Sequence, residues 1–213
     1  MGNCAELCAE RHDISRESLD AHAIESYKRA ERAWKEGAFD AEVVPVVIKG
    51  KKGDTVVKED EEYKKVIYEK VPTLKSAFKQ GGRITAANSS SLNDGASALI
   101  LMSAEKAKEL GVKPLAKIIC EPDVHSDQRP GIDVYTAYAD GGVEPKHFPE
   151  APTVAVPIAL EKAGLKPEDI ALWEVNEAFS VVVRIVEKVL GVDPSKINVN
   201  GCVTFFFSLL HPR

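Results

Sequence analysis

An α/β protein is predicted by three stretches of this 213-residue sequence. In the first, apolar residues crowd Ile170 to Val175 after the polar break Pro167-Glu168-Asp169, which reads as a short buried strand. Past Asn176 the spacing changes: Phe179, Val182, Val183, Val186 and Leu190 recur as one face of a helix, and Gly191 ends it. The second stretch repeats that alternation. Ala96 to Met102 reads as an apolar strand, Ser103 caps a helix ending at Gly111, and a new strand starts at Lys113 and runs to Ile119. The third is a long helix over residues 16–36, capped by Ser15 and closed by Gly37, with the apolar stripe Leu19, Ala23, Tyr27, Ala30 and Trp34.

Composition narrows the classes. A chain with 44% hydrophobic and 29% charged residues has the make-up of a soluble globular protein, and this length holds one large or two modest domains. The net charge of −5 argues against a nucleic-acid surface. No apolar run approaches the roughly 20 residues that span a bilayer. Met1-Gly2-Asn3-Cys4 opens no signal peptide or Arg-rich presequence, and Glu6 stands where a myristoylation signal needs Ser or Thr. Cys4, Cys8, Cys120 and Cys202 form no CxxC pair and no disulfide framework, as expected of a reducing compartment. Cys4 and Cys8 share a helical face with Leu7, and burial as small hydrophobes accounts for them better than a metal half-site.

Residues 2–11 read as a short helix, and the mixed charge on the outer face of helix 16–36 reads as a solvated surface. Glu42 to Ile48 and Thr55 to Val57 form a hairpin about Lys49–Asp54, a turn whose spacing does not fit a phosphate loop. From Lys64 to Arg83, Lys64, Lys65, Lys70, Lys75, Lys79 and Arg83 face only Glu69, which suits either a polyanionic ligand or a solvated face beside the acidic run Glu59 to Glu62. Gly81-Gly82 opens a segment of small residues through Ala96, where backbone can approach a ligand or another element. Residues 120–138 are polar and turn-rich; Asp123, His125 and Asp127 alternate there, as loop residues or weakly as metal ligands. Pro145, Pro149 and Pro152 punctuate the next stretch, and Ala155 to Gly164 reads as a helix with Pro157 in its first turns. Asn176, at the strand-to-helix junction, has two readings: a helix N-cap, or an amide aimed into an active site at the carboxyl end of a strand.

Two motifs resemble the thiolase family, of the acetoacetyl-CoA, mitochondrial type. One is Trp173-Glu174-Val175-Asn176-Glu177-Ala178-Phe179; the other is Thr85-Ala86-Ala87-Asn88-Ser89-Ser90 followed by Leu92-Asn93-Asp94-Gly95-Ala96. Met1-Gly2-Asn3-Cys4-Ala5-Glu6 and Lys58-Glu59-Asp60-Glu61-Glu62-Tyr63-Lys64 resemble further segments of that family. The resemblance implies an incomplete thiolase-like layered αβαβα fold. Residues 1–84 would be the loop domain that covers the cofactor, 85–112 the end of the N-terminal half, and 113–213 the start of the C-terminal half, with an insertion at 120–138. It implies Claisen condensation of acetyl-CoA, or thiolysis of acetoacetyl-CoA, with coenzyme A as substrate and product and no prosthetic group. Asn176 would hold a water that forms an oxyanion hole with His211. Lys65 and Lys70 would meet CoA phosphates, Ser90 the pantetheine arm, and backbone carbonyls of Ala86, Ala87 and Ser89 a potassium ion. A homo-oligomer and a mitochondrial location follow from the same resemblance, with a cytoplasmic one as the alternative.

The sequence also departs from that pattern. The family's two reactive cysteines fall outside residues 1–213, so the expectation is a chain inactive alone; a non-catalytic CoA-binding or subunit-interaction chain is the alternative. Asn200-Gly201-Cys202-Val203-Thr204-Phe205-Phe206-Phe207-Ser208-Leu209-Leu210-His211-Pro212 has three residues more than the family's Asn-Gly-Gly-x-x-x-x-Gly-His-Pro, and Leu210 replaces the glycine before the histidine. Ile67 stands where the mitochondrial branch has Asp. Cys202 is read as a structural cysteine in preference to a nucleophile paired with His211.

Overall fold

The computed structural model describes residues 1–116, 118 and 138–201. Its helices are α1 (Gly2–Arg11), α2 (Arg16–Lys35), α3 (Glu62–Lys65), α4 (Ala104–Glu109), α5 (Ala151–Ala163) and α6 (Ser180–Leu190). Strands β1 (Val46–Ile48) and β2 (Thr55–Val57) pair antiparallel, with Val47 opposite Val56, as the hairpin reading expects. The ends of α2 follow their sequence signals. Ser15 accepts from the Ser18 amide, Glu17 sits in the first turn, and Gly37 leaves the helix at φ +71.

Helix α6 is the wall shared by two apolar clusters. Val181 and Ile185 pack with Ala5, Cys8, Ala9, Ile14, Leu19 and Ile84 on one side. Val182, Val183 and Val186 pack with Trp173, Val175, Val192 and Ile197 on the other. The single apolar face read from the sequence is thus half of what is buried. A run of β-branched residues is a weak helix former, so this helix draws its stability from enclosure.

Three strand expectations are corrected. Ile170–Val175 makes one parallel bridge, Trp173 to Ile197, and no strand; residues 96–102, and those of 113–119 that are described, carry no strand either. An apolar run becomes a strand only where a neighbouring ladder meets its amides and carbonyls. Among the described residues Leu99, Ile100 and Leu101 instead stand exposed. Helix α5 begins at Ala151, four residues earlier than expected, with Pro152 in its first turn. Pro157 therefore lies in its interior, where it forfeits one helical hydrogen bond.

Ile185 is fully buried between α1, α2 and α6. Ile185→Ala should cost about 2–5 kcal/mol in urea unfolding. A loss below about 1 kcal/mol would show that the two clusters do not depend on α6.

Candidate active site

The site is assembled by two helices that hold two loops through buried carboxylates. Glu6 of α1 accepts from the amides of Arg83 (2.8 Å) and Ile84 (2.9 Å), which fixes the entry to the 85–90 segment. Gly82 lets that carboxylate in, since a Cβ there would stand 2.2 Å from Glu6 Oε1. Asp20 of α2 accepts from Arg16 Nε at 2.6 Å and from Asn88 Nδ2 at 2.9 Å. Asn88 Oδ1 in turn accepts from the Thr85 amide at 2.8 Å, so the loop is bound from inside.

The third carboxylate is Glu177, buried at 4% exposure. Its Oε1 lies 3.0 Å from His22 Nε2 and 2.7 Å from Asn198 Nδ2, and its Oε2 accepts from Ser26 Oγ at 2.8 Å. An ionised carboxylate only accepts, so His22 carries its hydrogen on Nε2 here. Asn198 clamps the same loop by its backbone. Its Oδ1 accepts from the Val175 amide at 2.7 Å and its Nδ2 donates to the Val175 carbonyl at 2.8 Å. Both neighbours of Asn176 are therefore fixed, while Asn176 itself is exposed.

The clamp needs Asn198 at φ +46, a left-handed conformation that asparagine tolerates better than most residues. Gly201, at φ +77, brings the following turn against α2; a Cβ there would meet Ser26 O at 2.5 Å and Ala30 N at 2.7 Å. Arg29 and Arg32 of α2 donate to the carbonyls of Ile197 (2.5 Å) and Val199 (2.6 Å). The face of α2 read as solvated is thus partly engaged in holding the 194–199 turn.

The two motif segments pair with each other. The Ser90 amide donates to Ala178 O at 3.1 Å and the Ser180 amide to Asn88 O at 2.9 Å, around an antiparallel bridge between Ser89 and Phe179. Ser90 thus lies opposite Ala178, two residues past Asn176. This pairing overturns the capping reading of Asn176: Phe179 holds the N-cap position, with extended backbone, and α6 starts at Ser180. A chain tied to Asn198 at Val175 and to Asn88 at Ser180 cannot turn helical sooner.

Lys65 and Lys70 are exposed. Lys65 pairs with Glu62 at 2.8 Å and Glu61 at 3.3 Å, and Lys64 with Glu59 at 2.5 Å. Arg83 is structural, donating to the carbonyls of Ala9 (2.7 Å) and Ile14 (2.9 Å). Lys79 pairs with Glu10 at 3.4 Å, so among the described residues Lys70 and Lys75 are the lysines of this window without an ion pair, and the free positive charge is smaller than the sequence window suggests. The carbonyls of Ala86, Ala87 and Ser89 accept no hydrogen bond among the described residues. His211, Cys202, Cys120, Asp123, His125 and Asp127, with residues 120–137, lie outside the described residues. Sequence reasoning missed His22, Ser26 and Asn198, whose partners are more than 20 residues away.

Because Asn176 is exposed and caps nothing, Asn176→Ala should change stability by less than about 0.5 kcal/mol. A capping role would cost about 1 kcal/mol. Asn198→Gly keeps the backbone but strips the Val175 amide and Glu177 of partners, which should cost about 1–3 kcal/mol per orphaned group in the same urea assay. Equal stability for Asn198→Gly and the parent chain would contradict the clamp.

The family model for the thiolase N-terminal domain matches residues 1–105, and that for the thiolase C-terminal domain matches residues 131–212. The mitochondrial acetyl-CoA acetyltransferase of Mus musculus is 52% identical across the whole chain, which covers 46% of that relative; for the Homo sapiens protein the values are 50% and 45%. The acetyl-CoA acetyltransferase of Bacillus anthracis superposes over 95% of this chain and 48% of its own, with a TM-score of 0.85 at 39% identity. The Acat5 thiolase of Ascaris suum, solved in complex with coenzyme A, gives a TM-score of 0.79 at 46% identity over the same shares. This chain spans about half the length of the curated relatives it matches. Its fold superposes on those of thiolases, and the chain belongs to the thiolase family.

Proposed function

We propose that this chain carries the CoA-facing segment and part of the oxyanion machinery of an acetyl-CoA acetyltransferase, which condenses two acetyl-CoA molecules or cleaves acetoacetyl-CoA with coenzyme A. One observation carries the reading: the 85–90 and 175–180 segments pair with each other and present Ser90 and Asn176 at the surface. A side-chain amide held by fixed neighbours is preorganised to orient a water towards a developing oxyanion, and removing such a donor typically costs about 3 kcal/mol of barrier. His211 would supply the second donor. Lys65 and Lys70 would receive CoA phosphates, with Lys65 exchanging its glutamate partners for phosphate, and Ser90 would bond the pantetheine arm. A potassium ion on the carbonyls of Ala86, Ala87 and Ser89 would stiffen the loop that carries Ser90. No prosthetic group is required. The mitochondrial relatives support a mitochondrial location, and no helix among the described residues is long and apolar enough to cross a membrane.

Carbon–carbon bond formation by this route needs a reactive thiolate. Cys8 does not supply one, because burial, and then the nearby Glu150, push its thiol up to about 12. The reading proposed for the 213-residue chain by itself is CoA binding without turnover. The exposed Leu99, Ile100 and Leu101 favour a second reading, in which the chain acts by docking another polypeptide, a homo-oligomer included.

Calorimetric titration with CoA tests the first reading. Binding should weaken with salt and in Lys70→Ala, and the same material should not thiolyse acetoacetyl-CoA. No heat and no thermal shift would remove the CoA-binding reading, and turnover by material free of host thiolase would overturn the inactive-chain reading.

A further inference from the structure

Helix α1 meets the 3₁₀ turn Pro145–Glu150 through a cluster that the thiolase reading does not use. The candidate ligand atoms of Cys8, His147 and Glu150 all lie within 4.8 Å of one another. His147 Nδ1 is 3.4 Å from Glu150 Oε1, and His12 Nε2 is 3.1 Å from that same oxygen. His12 Nε2 and Glu150 Oε1 are both buried, yet neither makes an aligned hydrogen bond. Sulfur, imidazole nitrogen and carboxylate oxygen together are the ligand set of zinc and its neighbours.

We propose that Cys8, His147 and Glu150 bind a divalent transition metal of the zinc class, with His12 holding the carboxylate from behind. A tetrahedral ion with zinc-like bonds sets its ligand atoms roughly 3.3–3.8 Å apart, so side-chain shifts on the order of 1 Å close the site. An open cleft of about 410 Å³, lined by Arg11, Val143, Glu144, His147 and Glu150, gives the ion its way in and leaves a fourth position to water. His147 Nε2 faces Glu144 Oε2 at 3.9 Å, the carboxylate that would orient the imidazole, while Lys146 pairs with Glu144 at 2.7 Å. Arg11 is the present cation of the cluster, with Nη1 3.1 Å from His147 Nδ1 and Nε 3.6 Å from Glu150 Oε1. Its side chain is 56% exposed and can swing outward when the metal takes over that charge. On binding, the Cys8 S–H bond breaks, sulfur bonds the metal, and the proton passes to solvent; His147 and Glu150 donate lone pairs. The ion would tie α1 to the segment leading into α5, independently of any CoA chemistry.

Cobalt(II) titration of the full chain tests the site. Four-coordinate cobalt bound by sulfur should give intense visible bands and a thiolate charge-transfer band, both removed by added zinc. Cys4→Ser should keep the spectrum, while Cys8→Ser should lose the charge-transfer band and bind at least about tenfold more weakly. A charge-transfer band that survives Cys8→Ser, or a weak spectrum like that of the aqua ion, would overturn the proposal. If circular dichroism shows Cys8→Ser unfolded, the imidazole ligand decides through His147→Gln. Weaker visible bands in that variant support the site, and an unchanged spectrum overturns it.

Discussion

The carboxylate of Glu177 is the constraint on which the rest of the structure depends. A charge at 4% exposure is tolerable only when its lone pairs are met, and His22, Ser26 and Asn198 meet them from two different parts of the chain. Because Asn198 also holds both backbone groups of Val175, satisfying Glu177 fixes the path of residues 175–177. The same device recurs at Glu6, which holds the amides of Arg83 and Ile84, and at Asp20, which holds Asn88. Helices α1 and α2 thereby act as a spine of buried acids that grips both motif segments. Removing one partner leaves a buried charge exposed to the low dielectric, which is why such networks fail together.

Apolar packing then sets where the gripped loops can go. Phe179 follows the clamped residues and packs edge-on against Phe78, with ring centroids 6.3 Å apart, before α6 begins. Helix α6 is buried on two sides, so its start at Ser180 is decided by what surrounds it more than by local propensity. Arg184, bonded to Ser18 Oγ at 3.0 Å, and Lys188, bonded to His12 O at 2.5 Å, anchor its exposed side to the spine. The segment that presents Asn176 is therefore held at Val175 and Glu177 by polar contacts, and past Ala178 by packing.

Local signals were legible wherever one residue type suffices. Ser15, Gly37, Ser103 and Gly191 marked helix ends correctly, and the turn at Lys49–Asp54 marked the hairpin. The family was legible from contiguous motifs that survive intact. Partnership was not. An apolar run such as Ala96–Met102 has the pattern of a strand, but pattern cannot report whether a ladder stands beside it. His22 and Ser26 sat on a helix face otherwise rich in charge, and nothing within that helix pointed to a carboxylate some 150 residues away. Asn176 illustrates both sides: its place in the motif was readable, whereas its exclusion from the helix came from Asn88, Asn198 and Ser89, distant residues that pair with the same few amides and carbonyls.

Amide hydrogen exchange tests this account most directly, because it reads the pairing itself. The Ser90, Val175 and Ser180 amides are bonded respectively to Ala178 O, Asn198 Oδ1 and Asn88 O. The account predicts that all three exchange slowly and together, at the rates of the α6 interior, although Ser90 and Val175 lie in irregular structure and Ser180 only opens α6. Exchange of these amides at free-loop rates while α6 stays protected would contradict the claim that buried carboxylates hold the two motifs as one unit.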